Sequence, residues 1–220
     1  MNTFIELPAT KQSITSRTST HGHGINDADY MVNQKVNGKK LMCPFYRAWK
    51  DMLTRCYSKK FQERYPTYLG CSVFKEWLTF SSFKSWMIKQ DWEGKQLDKD
   101  LMVLGNKEYG PESCLFVSGA INALITDNSA SRGCFPKGVC FHKKVGRYIS
   151  QCAVNGKQKY LGYFTSIPEA EKAYLIFKSE LINKTAGEEE ANNNQRLKSA
   201  LLRHADIFKS KANSLVIAAQ

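Results

Sequence analysis

Between Asp127 and Glu169 the chain carries no acidic residue, whereas Arg132, Lys137, Lys143, Lys144, Arg147, Lys157 and Lys159 all fall inside that interval. A strip of one sign is the electrostatic footprint expected for phosphates, because each contact with a polyanion releases condensed counterions. A second chemistry is written upstream, in the segment LDKDLMVLGNKEYGPESCLFVSGAINALI. There Asp98 stands at the end of an expected strand, and Asn122 sits on an expected helix that follows a second strand. An acid and an amide so placed form a layout that can hold one hard divalent cation against a phosphate. Magnesium takes oxygen ligands and needs few protein donors, so the Asp98 carboxylate and the Asn122 side-chain oxygen suffice as metal ligands, with phosphate and water completing the shell. Mg2+ or another divalent cation is the expected cofactor, and double-stranded DNA is the expected partner.

The whole-chain composition agrees with a polyanionic partner. Lys and Arg outnumber Asp and Glu by 32 to 20 over 220 residues, and a 42% hydrophobic content is enough for a folded core beneath the charge. The cations are interleaved with Tyr, Phe and Trp, whereas a membrane-surface protein would gather them on one amphipathic helix. The N-terminus has no apolar leader stretch, and nothing approaches the roughly 18 apolar residues of a span, so the expectation is a soluble, cytoplasmic protein with no membrane partner. The seven Cys are odd in number and form no C-x-x-C pair, which argues against a disulfide framework or a zinc knuckle and for reduced thiols. A basic surface that binds nothing is the competing reading.

The elements that must position these groups can be drawn from periodicity. The expected fold is α+β. Residues 1–40 read as an extended N-terminal arm, ending in a hairpin at Asn37-Gly38. Residues 41–128 form the unit that carries Asp98 and Asn122. Its first helix starts at Pro44 and carries Phe45, Trp49, Met52, Leu53 and Cys56 on one side, and a second carries Trp77, Phe80, Phe83, Trp86 and Met87, which are core aromatics rather than a stacking platform. A strand over Leu97 to Leu101, a turn-rich loop, a strand over Cys114 to Val117 and a helix from Ser118 to Ile125 follow. DNSASRG, at 127–133, reads as the linker. Residues 132–186 then give three strands (Val139 to Lys143, Arg147 to Val154, Lys157 to Phe164) joined at Val145-Gly146 and Asn155-Gly156. They precede a helix opened by Ser166 and Glu169, with Ala170, Ala173, Tyr174, Phe177 and Leu181 as its apolar stripe. Residues 187–220 make a helical tail, with a helix around Leu197 to Phe208 and no evident role.

The Gly138-Val139 pair, the basic strand after it, a second strand, the run Tyr160-Leu161-Gly162-Tyr163-Phe164-Thr165 and the Glu169-Ala170-Glu171-Lys172-Ala173-Tyr174 helix together resemble the plant ethylene-response-factor type of DNA-binding domain and its phage relatives. In that family a three-stranded antiparallel sheet packed on one helix reads the major groove. The resemblance implies reading positions at Cys140, His142, Gln151, Ala153, Gln158 and Tyr160, and phosphate contacts from Lys143, Lys144, Arg147 and Lys157. Cys140 and Ala153 stand where the family usually places Arg.

The stretch from Tyr65 through Trp77, LDKD, Tyr109-Gly-Pro-Glu-Ser-Cys-Leu-Phe-Val and Asn122 similarly resembles the HNH nucleases found beside that sheet domain in phage homing endonucleases. The likeness extends to Gly24 through Tyr30 and the Trp49 to Cys56 helix. It implies a strand–strand–helix metal module with Asp98 and Asn122 as ligands, and a bacterial host cytoplasm if the chain is phage-encoded. Lys99 stands at the place of the general-base His and Ser113 at that of the middle Asn. Three readings of the missing base stay open: Asp100 or a metal-bound hydroxide supplies it, His21 or His23 reaches in from the arm, or the nuclease is inactive. The catalytic candidates are thus Asp98, Lys99, Asp100 and Asn122. The leading expectation is a metal-dependent HNH-type DNA endonuclease with a sequence-reading sheet. The alternatives are a non-catalytic DNA-binding protein or regulator built on a decayed nuclease, and an interaction protein that blocks another nucleic-acid enzyme.

Overall fold

The computed structural model describes residues 4–126 and 134–217. It is α+β and divides into two compact units, Met1–Ser118 and Gly119–Gln220. The division therefore assigns the helix after Ser118 to the second unit, while the linker expected at 127–133 lies outside the described residues. No helix among the described residues is long and apolar enough to cross a membrane.

In the first unit the N-terminal arm is tied to the body. A short helix α1 (Lys11–Thr15) is capped by Thr10, whose hydroxyl accepts from Ser13 N. Beyond it, Ile25 N donates to Leu78 O at 2.8 Å and Phe80 N to Ile25 O at 3.0 Å, and Ala28, Tyr30 and Val32 are buried. The expected hairpin is present as β1 (Asn33–Val36) and β2 (Lys39–Met42). Its turn residues Asn37 and Gly38 have φ of 49° and 76°, the left-handed pair that an Asn-Gly turn supplies at low strain. The helix α2 (Pro44–Tyr57) follows, with Pro44 in its first turn and Tyr46, Trp49, Met52, Leu53 and Cys56 on its buried stripe.

Ser58 caps α3 (Lys59–Arg64), and a 3-10 turn over Pro66–Tyr68 leads into β3 (Ser72–Val73). The single helix expected through Trp77 and Met87 is two pieces: a 3-10 turn, Lys75–Leu78, and α4 (Phe80–Met87). Thr79 between them is extended because it forms a bridge with Ile25. Trp77, Phe80, Phe83 and Met87 are all buried, as core residues should be, and each such side chain contributes roughly 1.5–3 kcal/mol of burial. The unit closes with β4 (Gln96–Asp98), β5 (Glu108–Tyr109) and β6 (Leu115–Val117). Here β4 pairs antiparallel with β6, and β3 parallel with β5.

The second unit begins with α5 (Gly119–Ile125) and then holds a three-stranded antiparallel meander, β7 (Val139–His142), β8 (Arg147–Val154) and β9 (Lys157–Phe164). Asn155 and Gly156 take positive φ at the β8–β9 turn, as their types require. Ser166 caps α6 (Ile167–Ala186), and Glu169 returns a carboxylate to the Thr165 N–H and hydroxyl. The single apolar stripe expected on this helix is incomplete: Leu175, Ser179, Ile182 and Ala186 are buried as well as Ala170 and Tyr174. The reason is the tail. After α7 (Glu189–Asn192), α8 (Gln195–Ile217) runs far beyond Phe208 and packs along α6, where Ser179 Oγ donates to Ala205 O at 2.8 Å. One core contains Cys152 from the sheet, Tyr174 and Leu175 from α6, and Ala212 from α8. The helix is thus sandwiched, with the sheet on one side and α8 on the other.

Candidate functional site

The pairing register sorts the meander into two faces. Val139 pairs with Ser150, and Ser150 with Gly162; Cys152 pairs with Lys159. Val139, Ser150 and Cys152 are buried, and Cys152 shares a core with α6, so this is the covered face. Side chains alternate across a strand, so the residues between them face away from the helix. Rows of His142 with Arg147, Cys140 with Ile149, Gln151 with Tyr160 and Ala153 with Gln158 therefore lie on the outer face. All six positions expected to read bases from the resemblance, Cys140, His142, Gln151, Ala153, Gln158 and Tyr160, are brought together there.

Two residues on this face were missed by sequence reasoning. Ile149 pairs with Tyr163, and Tyr163 contacts His142 and Tyr160 with ring centroids 5.8 and 5.4 Å apart. Strict alternation from Gln158 and Tyr160 would have put Gly162 and Phe164 outside. A bulge opposite Ser150 and Gln151 leaves Leu161 unpaired and shifts the phase by one residue. Gly162 accommodates the bulge at φ 147°, a conformation that favours glycine, so a glycine inside a strand pattern was the available signal. Tyr160 and Tyr163 are 53% and 42% exposed, which makes them the large apolar surface that this face offers.

The expected phosphate contacts separate into two groups. Lys143 and Lys144 are in the β7–β8 turn rather than on a strand, where the His142 ring Nδ1 accepts from Val145 N at 3.3 Å, and Arg147 follows at the start of β8. Lys157 and Lys159 alternate to the helix side of the edge strand β9, and the Lys159 ammonium lies 4.6 Å from the Phe177 ring centroid.

In the first unit the strand expected through Leu101 stops at Asp98, and the cause is Asp98 itself. Its Oδ1 accepts from the backbone N–H of Asp100 at 2.9 Å and of Leu101 at 2.7 Å, turning the chain out of the sheet. Burial pushes the Asp98 carboxyl above the ordinary carboxylate range, Asp100 adds to that rise, and the two amides oppose it. Lys99 does not present itself to a substrate: it is 4% exposed, and its Nζ donates to Asp100 Oδ1 at 2.6 Å and to Asn106 O at 2.7 Å. Asn106 closes the same loop by donating to Lys99 O and Glu108 O. Lys99 is therefore engaged as a loop tether, and Ser113 Oγ likewise donates to Glu108 O. His21 Nε2 lies 3.0 Å from Thr54 Oγ1, and His23 stacks on Tyr57 at 4.0 Å, so both arm histidines are held against α2. Asn122 is on α5 in the second unit, where its side-chain oxygen accepts from Thr126 Oγ1 at 3.3 Å.

Asp98 and Asp100 suit a hard cation in one respect. Each has one oxygen engaged, Asp98 Oδ1 with amides and Asp100 Oδ1 with Lys99, and magnesium is commonly held by one or two carboxylates plus phosphate oxygens. Among the described residues no group of three or more His, Cys, Asp and Glu is arranged to hold a metal. The cysteines are free thiols, and burial pushes those of Cys56 and Cys114 up to about 12. No protein-family model matches the chain, and no match is found among curated proteins or among solved structures.

Proposed function

We propose that the chain binds duplex DNA, with the outer face of the β7–β8–β9 sheet in the major groove and the turn lysines on the flanking phosphates. One observation carries the reading: the six positions that the resemblance implies as base readers fall on one face turned away from α6, in a segment whose charges are all positive. On that face Gln151 and Gln158 supply amides able to pair with adenine, and Tyr160 and Tyr163 supply apolar contact. Lys143, Lys144 and Arg147 hold the register against the backbone.

The test is the salt dependence of binding. Replacing Lys143, Lys144 and Arg147 together by Glu should flatten the slope of log K against log salt by about three, because each neutralised phosphate contributes about 0.9. Fluorescence anisotropy with a labelled duplex across a salt series reads this directly. An unchanged slope would place the binding surface elsewhere.

A second reading, metal-assisted cleavage of the bound DNA, is favoured by Asp98. A half-buried carboxylate with a raised proton affinity, fixed by two amides beside a second acid, fits the pattern of a functional site. Mg2+ held there would polarise the scissile phosphodiester. Asp98 would orient the ligand oxygen, and the Lys99–Asp100 pair would fix the loop; Asn122 enters through the resemblance alone. Cleavage of long duplex DNA should require Mg2+ and should fall on the order of a thousandfold in both Asp98→Ala and Asp98→Asn, since losing a metal ligand removes several kcal/mol of transition-state stabilisation. Asp98→Asn keeps an acceptor for both amides, so its loss of activity would not reflect a lost fold. DNA that is bound tightly yet left intact under Mg2+ and Mn2+ would leave the non-catalytic DNA-binding reading in place.

A further inference from the structure

A cleft of about 250 Å³ opens in the second unit where the sheet is incomplete. The last contact along β7 is Gln151 N donating to Gly138 O, so from Cys152 to Val154 no strand among the described residues pairs with β8 on that side. Residues 151 and 153 share backbone direction, which turns the Ala153 N–H toward this open edge. The cleft is lined by Lys137, Lys178, Gln151, Gln158, Cys152 and Tyr174 among others, and by no carboxylate.

Lys178 is the group that demands an explanation. It is 4% exposed and lines the cleft from α6; no hydrogen bond or ion pair of its ammonium is found among the described residues, and the ammonium atom itself is not sealed from the solvent of the cleft. Buried lysines are rare unless paired. Burial, and then Lys137, hold its proton affinity below the ordinary lysine range, with Cys152 opposing. Lys137 is kept at the site by donating from Nζ to Thr126 O at 2.6 Å. An anion seated beside the two ammonium groups would give Lys178 an ion-pair partner and offset both unfavourable effects.

We propose that this cleft binds one tetrahedral oxyanion of the phosphate class, with Lys178 as its anchor, Lys137 as a second cation, and the Ala153 N–H of the open strand edge as a neutral donor. Each water occupies about 30 Å³ of liquid volume, so the cleft has space for the ion with part of its hydration shell. The oxyanion is either free phosphate or a phosphodiester of bound duplex. The second source rests on the DNA reading above; the first does not.

The test uses the full-length chain and inorganic phosphate. At matched ionic strength, phosphate in place of chloride should raise the unfolding midpoint of the wild-type protein by a few degrees. Lys178→Met should lose that increment while melting in chloride no lower than wild type. A second measurement needs no variant: phosphate should protect Lys178 from reductive methylation, mapped by mass spectrometry, relative to the surface lysines Lys143 and Lys144. With duplex as the source, Lys178→Met should also lower the salt slope of DNA binding by about one. Protection by phosphate with an unchanged slope would identify the free ion as the occupant. Neither protection nor a midpoint increment would overturn the proposal. Wild-type protein that shows phosphate protection but no DNA affinity would remove the DNA reading and leave the oxyanion site standing.

Discussion

A fragment covering residues 132–186 is expected to lose its cooperative fold, whereas residues 119–220 are expected to keep the sheet and to bind duplex DNA with the salt dependence of the whole chain. The shorter fragment has the three strands and α6, which on sequence grounds looks like a complete module. It lacks α8, however, which packs along α6, where Leu175, Ile182 and Ala186 are buried, and which contributes Ala212 to the core around Cys152, Tyr174 and Leu175. Uncovering Leu175 and Ile182 forfeits roughly 1.5–3 kcal/mol each, set against a total stability of about 5–15 kcal/mol for an ordinary domain. Ser179 Oγ would also lose its acceptor, the Ala205 carbonyl. Urea titrations followed by circular dichroism, with anisotropy on the same samples, decide the matter. Cooperative unfolding and full affinity in the 132–186 fragment would make α8 an appendage rather than part of the reader.

Trp49→Ala is expected to unfold the first unit while leaving the DNA affinity of the second nearly intact. Trp49 is fully buried, lies against Tyr46 and Phe80 with centroids 5.4 and 5.6 Å away, and donates from its indole nitrogen to Trp77 O at 2.7 Å. Truncating a buried Trp costs about 3–5 kcal/mol, and the orphaned Trp77 carbonyl adds about 1–3 kcal/mol. Gly24 packs so tightly that a Cβ there would come within 2.8 Å of the Trp49 ring, so the tie between the arm and the body would be lost with the ring. Loss of near-ultraviolet dichroism with retained binding is the expected result, and Trp49→Phe, which keeps a ring but not the N–H, should fall between wild type and Ala. A parallel collapse of DNA affinity would show that the binding surface is not confined to the second unit.

What could be read in advance was whatever local chemistry alone determines. Asn37-Gly38 and Asn155-Gly156 turn because their types tolerate positive φ, Ser166 caps because its hydroxyl meets Glu169 N, and the α2 stripe follows from a 3.6-residue period. Features set by contacts distant in sequence were not legible. The 3-10 turn before α4 depends on Ile25, more than fifty positions earlier, and the second buried side of α6 depends on α8. The buried tether made by Lys99 was also hidden, because a lysine beside two aspartates reads as a surface charge until Asn106 and the Tyr109 ring are placed around it. On the candidate sheet site the six positions came from the resemblance, and simple alternation along β9 fails after the bulge.

The bulge at Leu161 makes β9 two half-strands whose outward residues are out of phase, even-numbered before it and odd-numbered after it. Removing one residue there would act on the protein as a frameshift acts on a message: everything from Tyr163 onward would exchange faces, with Phe164 turned to solvent and Tyr163 turned against the helix. A library intended to change what this surface recognises should therefore vary positions 149, 151, 153, 158, 160 and 163 and hold Gly162 constant, because that glycine decides which of its neighbours can be seen from outside at all.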